Sequence, residues 1–283
     1  MKHVGLIGLP VAHSLSPRMQ QAAFDACGIA ARYALWETQP EALHTRIASL
    51  RAPEMLGANV TLPYKTDALA LVDDIEPLAA RAGAINTIVN RNGRLVGYNT
   101  DVQGFLNALA GGFGQPFNGR GTCAIILGTG GAARAAAIAL IESDVRELVL
   151  LGRTQAHLHA LHQHLESVSR ISDKTTNLYS LQMESTRAAQ ALERADILIN
   201  ATPVGLEGNE QSVLIDIAAL PTRALVMDMI FNPPETPLLR AARARGCQTL
   251  NGLTMLLYQG ALAFEHWTGQ AAPIEAMRQA LGC

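Results

Sequence analysis

The 283-residue sequence predicts an α/β protein built from two α/β domains. Short apolar runs with strand-like composition alternate with helical stretches along most of the chain, and this alternation is typical of the α/β class. A cluster of glycine, proline and asparagine at residues 111–121 separates two such series and indicates a domain boundary. With 49% hydrophobic and 16% charged residues, the chain can bury a substantial core.

The first series contains strands and helices in alternation. Strands are predicted at residues 3–8, 33–37 and 55–62. Helices are predicted at residues 17–27, 40–50 and 64–72. Two β-rich runs then flank Asn92-Gly93 within residues 84–100. Asn-Gly is the strongest short hairpin signal, because both residues tolerate the positive φ that the turn requires.

The second series opens with a continuous apolar run at residues 122–127, which suits a fully buried parallel strand. A glycine-rich segment follows, then an alanine-rich helix to about residue 141, and then strands at residues 147–151, 196–201 and 224–227. Beyond residue 250 the pattern is helical only, at 253–267 and 274–281, so we expect these helices to pack back on the first domain. The expected domains are residues 1–103 plus 253–283, and residues 104–252.

Composition argues against several classes of function. A formal net charge of −2 does not suit a nucleic-acid-binding surface. No apolar stretch approaches the roughly 18 uncharged residues that span a bilayer. The cysteines lack CxxC spacing, so we expect reduced thiols in a cytoplasmic protein and no metal site. They are Cys27, Cys123, Cys247 and Cys283.

The glycine-rich segment is Gly128-Thr129-Gly130-Gly131-Ala132-Ala133-Arg134. It lies between a buried strand and a helix, which is how a Rossmann-type dinucleotide-binding fold begins. Gly128 permits the tight turn, whereas Gly130 and Gly131 allow the backbone to approach a pyrophosphate at the helix N-terminus. The alternative is a glycine-rich turn with no ligand.

The end of the next strand selects the dinucleotide. NAD sites usually carry an acid there to bind the ribose hydroxyls, and this chain has Gly152-Arg153-Thr154 instead. Arg153 can stack on adenine and bind a 2′-phosphate, and Thr154 adds a hydroxyl. The segment therefore favours NADP. The alternative for Arg153 is a solvated arginine at a helix start.

Polar residues in the first domain follow predicted strands. Ser14 and Ser16 precede Pro17 at a helix start, where an N-cap would explain Ser16 but not both serines. Asn59 and Thr61 alternate along a strand and should face the same side.

Lys65, one of three lysines, is expected at a helix start, where the helix dipole disfavours a cation; this suggests a functional role. Two polar segments, Asn86-Thr87 and Asn99-Thr100-Asp101, flank the predicted hairpin, so their Asn-Thr pairs should lie near each other in space. Asp101 alone could be a helix cap. Gln259 lies on an uncharged helix face, where its amide needs hydrogen-bond partners.

Several of these residues belong to longer motifs. The motifs are His13-Ser-Leu-Ser-Pro17, Asn59-Val-Thr-Leu-Pro-Tyr-Lys65, Gly83-Ala-Ile-Asn-Thr87, Gly97-Tyr-Asn-Thr-Asp101, Gly128-Thr-Gly-Gly-Ala-Ala-Arg134, Asn200-Ala-Thr-Pro-Val-Gly205, Asn232-Pro-Pro-Glu-Thr-Pro-Leu-Leu239 and Gly252-Leu-Thr-Met-Leu-Leu-Tyr-Gln259. In this order, and over nearly the whole chain, they resemble the shikimate dehydrogenase family. The resemblance implies a substrate-binding domain, an NADP-binding domain and a cleft between them, in a monomer or homodimer.

The resemblance also implies roles for individual residues. Lys65 and Asp101 match the family's catalytic pair. Its substrate ligands correspond to Ser14, Ser16, Asn59, Thr61, Asn86, Phe231 and Gln259. Its cofactor contacts correspond to Gly128, Thr129, Gly130, Gly131, Ala132, Arg153, Thr154, Met229 and Gly252. The expected reaction is the reversible reduction of 3-dehydroshikimate by NADPH, in aromatic amino acid biosynthesis.

Three positions depart from the family pattern. Phe231 replaces a tyrosine and lacks its hydroxyl, His157 stands where a basic residue is expected in the NADP site, and Asn251 replaces an aspartate. The first two leave open a quinate/shikimate or aminoshikimate dehydrogenase, including one that uses NAD. A second alternative is a dinucleotide-binding regulator without turnover, which the intact Lys65 and Asp101 pair argues against.

Overall fold

Two six-stranded sheets organise the chain. The computed structural model describes residues 1–206 and 215–282. Contacts between Cα atoms divide the chain into two units, one comprising Met1–Gly104 and Leu256–Cys283 and the other Phe105–Met255. Each unit contains one sheet with helices packed against it, so the predicted α/β class is confirmed.

The sheet of the first unit is mixed. Its strands are β1 (Lys2–Gly8), β2 (Ala31–Glu37), β3 (Met55–Val60), β4 (Asp74–Ile75), β5 (Thr87–Arg91) and β6 (Arg94–Tyr98), in the spatial order β2-β1-β3-β5-β6-β4. β1 pairs in parallel with β2 and β3, whereas β5 is antiparallel to β3 and β6. The predicted hairpin joins β5 to β6, and its turn residues Asn92 and Gly93 both have positive φ.

Helices α1 (Ser16–Ala26), α2 (Leu43–Ser49) and α3 (Pro77–Ala82) belong to this unit, and α4 (Thr100–Phe113) begins in it and continues into the second unit. The helix predicted at 64–72 is instead a turn followed by a 3-10 helix at Asp67–Leu71. The backbone N–H of Tyr64 bonds to the carbonyl of Thr61, and the Tyr64 phenol donates to the Thr38 carbonyl, 2.6 Å away. These contacts hold a tight turn where an α-helix was expected.

The sheet of the second unit is entirely parallel. Its strands are β7 (Cys123–Leu127), β8 (Glu147–Gly152), β9 (Asn177–Gln182), β10 (Ile197–Asn200), β11 (Leu225–Asp228) and β12 (Gln248–Leu250), in the order β12-β11-β10-β7-β8-β9. The chain therefore reverses direction across the sheet between β7 and β10, which is the topological switch point where doubly wound folds bind ligands. The helices are α5 (Gly131–Glu142), α6 (Gln155–Ile171), α7 (Thr186–Leu192) and α8 (Pro237–Arg245).

The edge strands β9 and β12 were not predicted from the sequence. Edge strands expose one side to water and so carry polar residues such as Asn177, Gln182 and Gln248, which conceal the apolar pattern. The central strands β7 and β8 are almost wholly buried, and their continuous apolar runs allowed them to be predicted from the sequence.

The last two helices, α9 (Gly252–Thr268) and α10 (Ile274–Leu281), end the chain. Phe264 packs on Phe24 of α1 with ring centroids 5.3 Å apart, and the Trp267 indole donates to the Ile88 carbonyl of β5 over 3.0 Å. The predicted return of the C-terminal helices to the first domain is therefore confirmed. No described helix is long and apolar enough to cross a membrane.

Candidate active site

A lysine–aspartate pair lies at the centre of the candidate site in the first unit. The Lys65 ammonium is 2.6 Å from Oδ2 of Asp101, and both side chains are largely shielded from solvent. Lys65 is in the turn that follows Pro63 and not at a helix start, so the dipole argument from the sequence does not apply. The short distance and partial burial strengthen the ion pair, because there is little water to screen it.

Asp101 is not the cap of α4. Oδ1 of Asn99 accepts hydrogen bonds from the backbone N–H groups of Asp101 and Val102, at 3.1 and 3.3 Å. Asn99 therefore caps the helix, and the Asp101 carboxylate is left to bind Lys65. An acid in the first turn of a helix is also favoured by the helix dipole.

Asn86 connects the Lys65–Asp101 pair to Gln259 on α9. Its Nδ2 donates to Oδ1 of Asp101 over 2.9 Å and lies 3.4 Å from Oε1 of Gln259. Nε2 of Gln259 donates to the Leu256 carbonyl over 2.9 Å, so the glutamine amide is satisfied at both ends. The structure thus brings together Lys65, Asp101, Asn86 and Gln259, as their predicted roles require.

Asn59 and the two serines extend the site towards α1. Oδ1 of Asn59 accepts from the Tyr33 phenol over 2.8 Å, and the Ser16 side chain is hydrogen-bonded to the same phenol. The N-cap reading of Ser16 is wrong, because the cap position is Leu15 and no side chain caps the helix. Instead, Oγ of Ser14 accepts from the Ser16 backbone N–H over 3.2 Å.

Thr61 lies one residue beyond β3 and is half-buried. Its methyl group closely approaches the backbone of Gly8, where an added Cβ would come within 2.4 Å. Its hydroxyl forms no hydrogen bond with the described residues and is therefore available to a ligand.

The sequence did not single out Tyr33, and it indicated Thr87 only as part of an Asn-Thr pair beside the hairpin. Tyr33 occupies an inward position of β2 and is only 5% exposed, a pattern that a core tyrosine shares. Burial raises the pKa of Tyr33, against a smaller opposing effect of the hydrogen bond with Ser16. The phenol therefore keeps its proton and can donate to Asn59.

A cavity of about 230 Å³ lies in the second unit at the carboxyl ends of β7, β8 and β10. Gly128 adopts a φ of +112°, and a Cβ there would lie 3.0 Å from the Ala201 carbonyl oxygen, so the turn requires glycine. At Gly130 and Gly131 a Cβ would meet no atom within 4 Å. Space therefore remains in front of α5, which begins after Gly130 without a side-chain cap among the described residues.

The residues predicted to select the dinucleotide line the same cavity. Arg153 and Thr154 follow β8, and His157 lies one turn along α6; all three side chains are exposed. Thr154 occupies the N-cap position of α6, yet its hydroxyl makes no capping bond. Arg153 forms no ion pair within residues 1–206 and 215–282. Uncapped N–H groups, a guanidinium and a free hydroxyl suit a dinucleotide carrying an extra phosphate.

Three further predicted residues lie beyond the end of β11 or at the start of α9. Met229 and Phe231 are half-buried, and a Cβ at Gly252 would lie 2.1 Å from the Met229 carbonyl oxygen. This close backbone approach explains the glycine without a ligand. The segment is held by the fully buried Asp228, which accepts from Asn200, from the Ile230 N–H and from Thr236.

Burial raises the pKa of Asp228, and the three hydrogen bonds oppose that shift. The carboxylate therefore fixes the backbone that carries Met229 and Phe231, but it is sealed from ligands. Whether Met229, Phe231 and Gly252 bind ligand stays a prediction.

The parallel sheet with its glycine loop and the lysine–aspartate pair define a dinucleotide-dependent oxidoreductase. Residues 6–88 match the shikimate dehydrogenase substrate binding domain, and residues 252–281 match the shikimate 5′-dehydrogenase C-terminal domain. The chain is 42% identical to the shikimate dehydrogenase (NADP(+)) of Symbiobacterium thermophilum, over 98% of this chain and 92% of that protein. The chain belongs to the shikimate dehydrogenase family, as its motifs indicated.

Solved structures agree with this assignment. The shikimate 5-dehydrogenase of Thermus thermophilus, in complex with NADP(H) and shikimate, is 37% identical with a TM-score of 0.85, covering 99% of this chain and 98% of that one. The quinate dehydrogenase of Corynebacterium glutamicum, in complex with NAD, is 29% identical with a TM-score of 0.90, covering 99% and 98%.

Proposed function

We propose that the protein catalyses the reversible reduction of 3-dehydroshikimate to shikimate with NADPH, in the biosynthesis of aromatic amino acids. The observation that carries the proposal is the contact between Lys65 and Asp101 among hydroxyl and amide side chains. Such side chains both donate and accept, which suits a small ligand with several hydroxyls and a carboxylate. Homologues that are named shikimate dehydrogenase (NADP(+)) support the same substrate and cofactor.

Lys65 is proposed as the general acid and base. In the reduction its ammonium polarises the carbonyl oxygen and gives it a proton, and in the oxidation the neutral amine takes that proton back. Asp101 holds the ammonium in place and accepts a hydrogen bond from the neighbouring hydroxyl of the substrate. NADPH supplies the hydride when bound.

The second unit is proposed to bind the dinucleotide. The glycine loop and the N-terminus of α5 would hold the pyrophosphate, and the open space at Gly130 and Gly131 fits that role. Arg153 and Thr154 would bind the 2′-phosphate, with His157 beside them on the cavity wall. This arrangement favours NADP over NAD. Residues 1–103 with 253–283 would then form the substrate domain and residues 104–252 the NADP domain, in a cytoplasmic enzyme whose described cysteines are free.

One observation favours a second candidate, a quinate-oxidising dehydrogenase. Phe231 lacks the hydroxyl that the family's tyrosine offers to a substrate, and the quinate dehydrogenase of Corynebacterium glutamicum shares the fold. Initial rates with shikimate and with quinate, each with NADP and with NAD, separate the candidates. We expect shikimate with NADP to give the highest kcat/KM. A higher kcat/KM with quinate would overturn the substrate assignment.

The same assay tests Lys65. We expect Lys65→Ala to lower kcat by roughly 10²–10⁴-fold, the range for a lost general acid and base, with little change in shikimate affinity. Lys174→Ala is the matched control, because Lys174 lies in the second unit outside the candidate site, and its kcat should equal that of the parent. An increase in KM with unchanged kcat would make Lys65 a binding residue.

A further inference from the structure

A buried chain of hydrogen bonds connects Tyr33 to the Lys65–Asp101 pair. The Tyr33 phenol donates to Oδ1 of Asn59 over 2.8 Å, and Nδ2 of Asn59 donates to the Thr87 hydroxyl over 3.0 Å. That hydroxyl donates to Oδ1 of Asn86 over 3.1 Å, and Nδ2 of Asn86 donates to Asp101 over 2.9 Å. The chain crosses β2, β3 and β5 and ends on α4.

Backbone groups fix the orientation of the two amides in this series of hydrogen bonds. The backbone N–H of Thr100 donates to Oδ1 of Asn86 over 2.7 Å, so the amide nitrogen of Asn86 must face Asp101. Nδ2 of Asn59 donates to the Asn86 carbonyl over 3.2 Å, so Oδ1 of Asn59 must face Tyr33. Each side chain therefore donates to the next one in the direction of the carboxylate.

Thr87 is the link that no ligand can reach. Its side chain is fully buried, and its single hydroxyl proton serves Asn86 while its oxygen accepts from Asn59. The Thr87 hydroxyl also lies 3.3 Å from Oγ1 of Thr100, the first residue of α4. Hydrogen bonds that share one direction polarise one another, so a break in the middle weakens the bond that reaches Asp101.

We propose that Thr87 is a positioning residue, which with Tyr33 orients Asn86 and through it the Asp101 carboxylate that holds Lys65. The kinetic part of this inference rests on the proposed function. Neither Thr87 nor Tyr33 touches the reacting atoms. Their effect passes through the hydroxyl groups and not through the packing of the side chains.

The test exchanges the hydroxyl and the methyl group of Thr87 separately. Thr87→Val keeps the shape and removes the hydroxyl, whereas Thr87→Ser keeps the hydroxyl and removes the methyl. We expect Thr87→Val to lower kcat for shikimate about tenfold, equivalent to about 1.4 kcal/mol, and Thr87→Ser to stay within about threefold of the parent. The affinity for NADP should not change in either variant.

Thr38→Val is the matched control. Thr38 is a buried threonine of the same unit whose hydroxyl donates to the Trp36 carbonyl over 2.7 Å, outside the chain. Thr38→Val also loses a buried hydroxyl, and this variant should retain the kcat of the parent. The opposite order, an active Thr87→Val and an impaired Thr87→Ser, would show that Thr87 acts through packing, and equal losses would also overturn the proposal.

A second measurement does not depend on turnover. The protein has three lysines, Lys2, Lys65 and Lys174, so ¹³C-methylation of the lysine amines gives few NMR signals. The signal that is missing in Lys65→Ala is assigned to Lys65. We expect Thr87→Val to shift only the Lys65 signal and Thr87→Ser to leave it unchanged. An unmoved Lys65 signal in Thr87→Val would overturn the proposal. If the Lys65 signal shifts in Thr87→Val but the parent protein does not oxidise shikimate, the hydrogen-bonded connection is supported and the proposed function is wrong.

Discussion

Side chains that donate and accept hydrogen bonds surround the Lys65–Asp101 pair, and most already have protein partners. Both ends of the Asn86 amide are engaged, as are both ends of Asn59. The Thr61 hydroxyl has no partner among the described residues. A polyhydroxyl ligand would therefore find a preorganised frame with a few free groups, which lowers the cost of ordering side chains on binding.

Arg153 offers the sharpest test of cofactor choice at the residue scale. We expect Arg153→Ala to weaken NADP binding by on the order of 1.5–3 kcal/mol, the value of a hydrogen bond to a charged group, and to leave NAD binding nearly unchanged. Titration calorimetry with both dinucleotides measures the difference. Arg170→Ala is the control, since Arg170 is exposed near the far end of α6. Equal weakening of both cofactors would mean that Arg153 stacks on adenine without binding the phosphate.

Helices α4 and α9 cross at a glycine, and this crossing carries Gln259 to the site. A Cβ at Gly104 would lie 2.7 Å from the backbone nitrogen of Gln259, which cannot move without moving α9. The close approach is therefore a property of the two elements together. It accounts for the contact between Gln259 and Asn86, which are 173 residues apart in sequence.

We expect Gly104→Ala to separate the two helices, raise the KM for shikimate several-fold and lower the free energy of unfolding by roughly 1–3 kcal/mol through overpacking. Gly111→Ala is the control on the same helix, because a Cβ there meets no atom within 4 Å. It should stabilise the protein by about 0.5–1 kcal/mol, since alanine is the better helix former, with unchanged kinetics. A Gly104→Ala enzyme with the KM and Tm of the parent would contradict the crossing argument.

The stability of the whole molecule should depend on pH through Asp73. Arg51 bonds to both oxygens of this carboxylate, and the Leu95 N–H donates to it over 2.7 Å. These contacts lower the pKa of Asp73 from 3.8 to about 2, chiefly through the hydrogen bond from Arg51. Because the folded-state pKa lies below the unfolded value, the stabilisation is complete above about pH 4 and disappears as the pH falls towards 2.

We therefore expect Asp73→Asn to be less stable than the parent at pH 7, and the difference to shrink between pH 4 and pH 3. Urea unfolding of both proteins at pH 7, 4 and 3 measures it. The group is exposed, so solvent screening keeps the effect small. A difference that stays constant over this range would show that the carboxylate charge has no part in it.

Local sequence patterns were sufficient to predict the α/β class, the central strands of both sheets, the hairpin at Asn92-Gly93 and the family. Apolar periodicity, turn residues and contiguous motifs are local features, so they can be recognised in the sequence before the fold is known. The prediction failed at 64–72, where the Tyr64 phenol binds a carbonyl 26 residues away and a turn replaces the helix. It also failed at Ser16, which lies inside α1 and not at its cap.

The construction of the site depends on tertiary contacts that no local pattern shows. Asn99 and not Asp101 caps α4, and this can be seen only from the direction of two side-chain bonds. Tyr33, Asn59, Thr87 and Asp101 come from four elements, and each resembles a core or cap residue when taken alone. Apart from the bond between the neighbours Asn86 and Thr87, their hydrogen bonds join residues that are distant in sequence. The Asn59 and Asn86 amides are oriented by backbone groups that meet them only when the sheet and α4 have packed together.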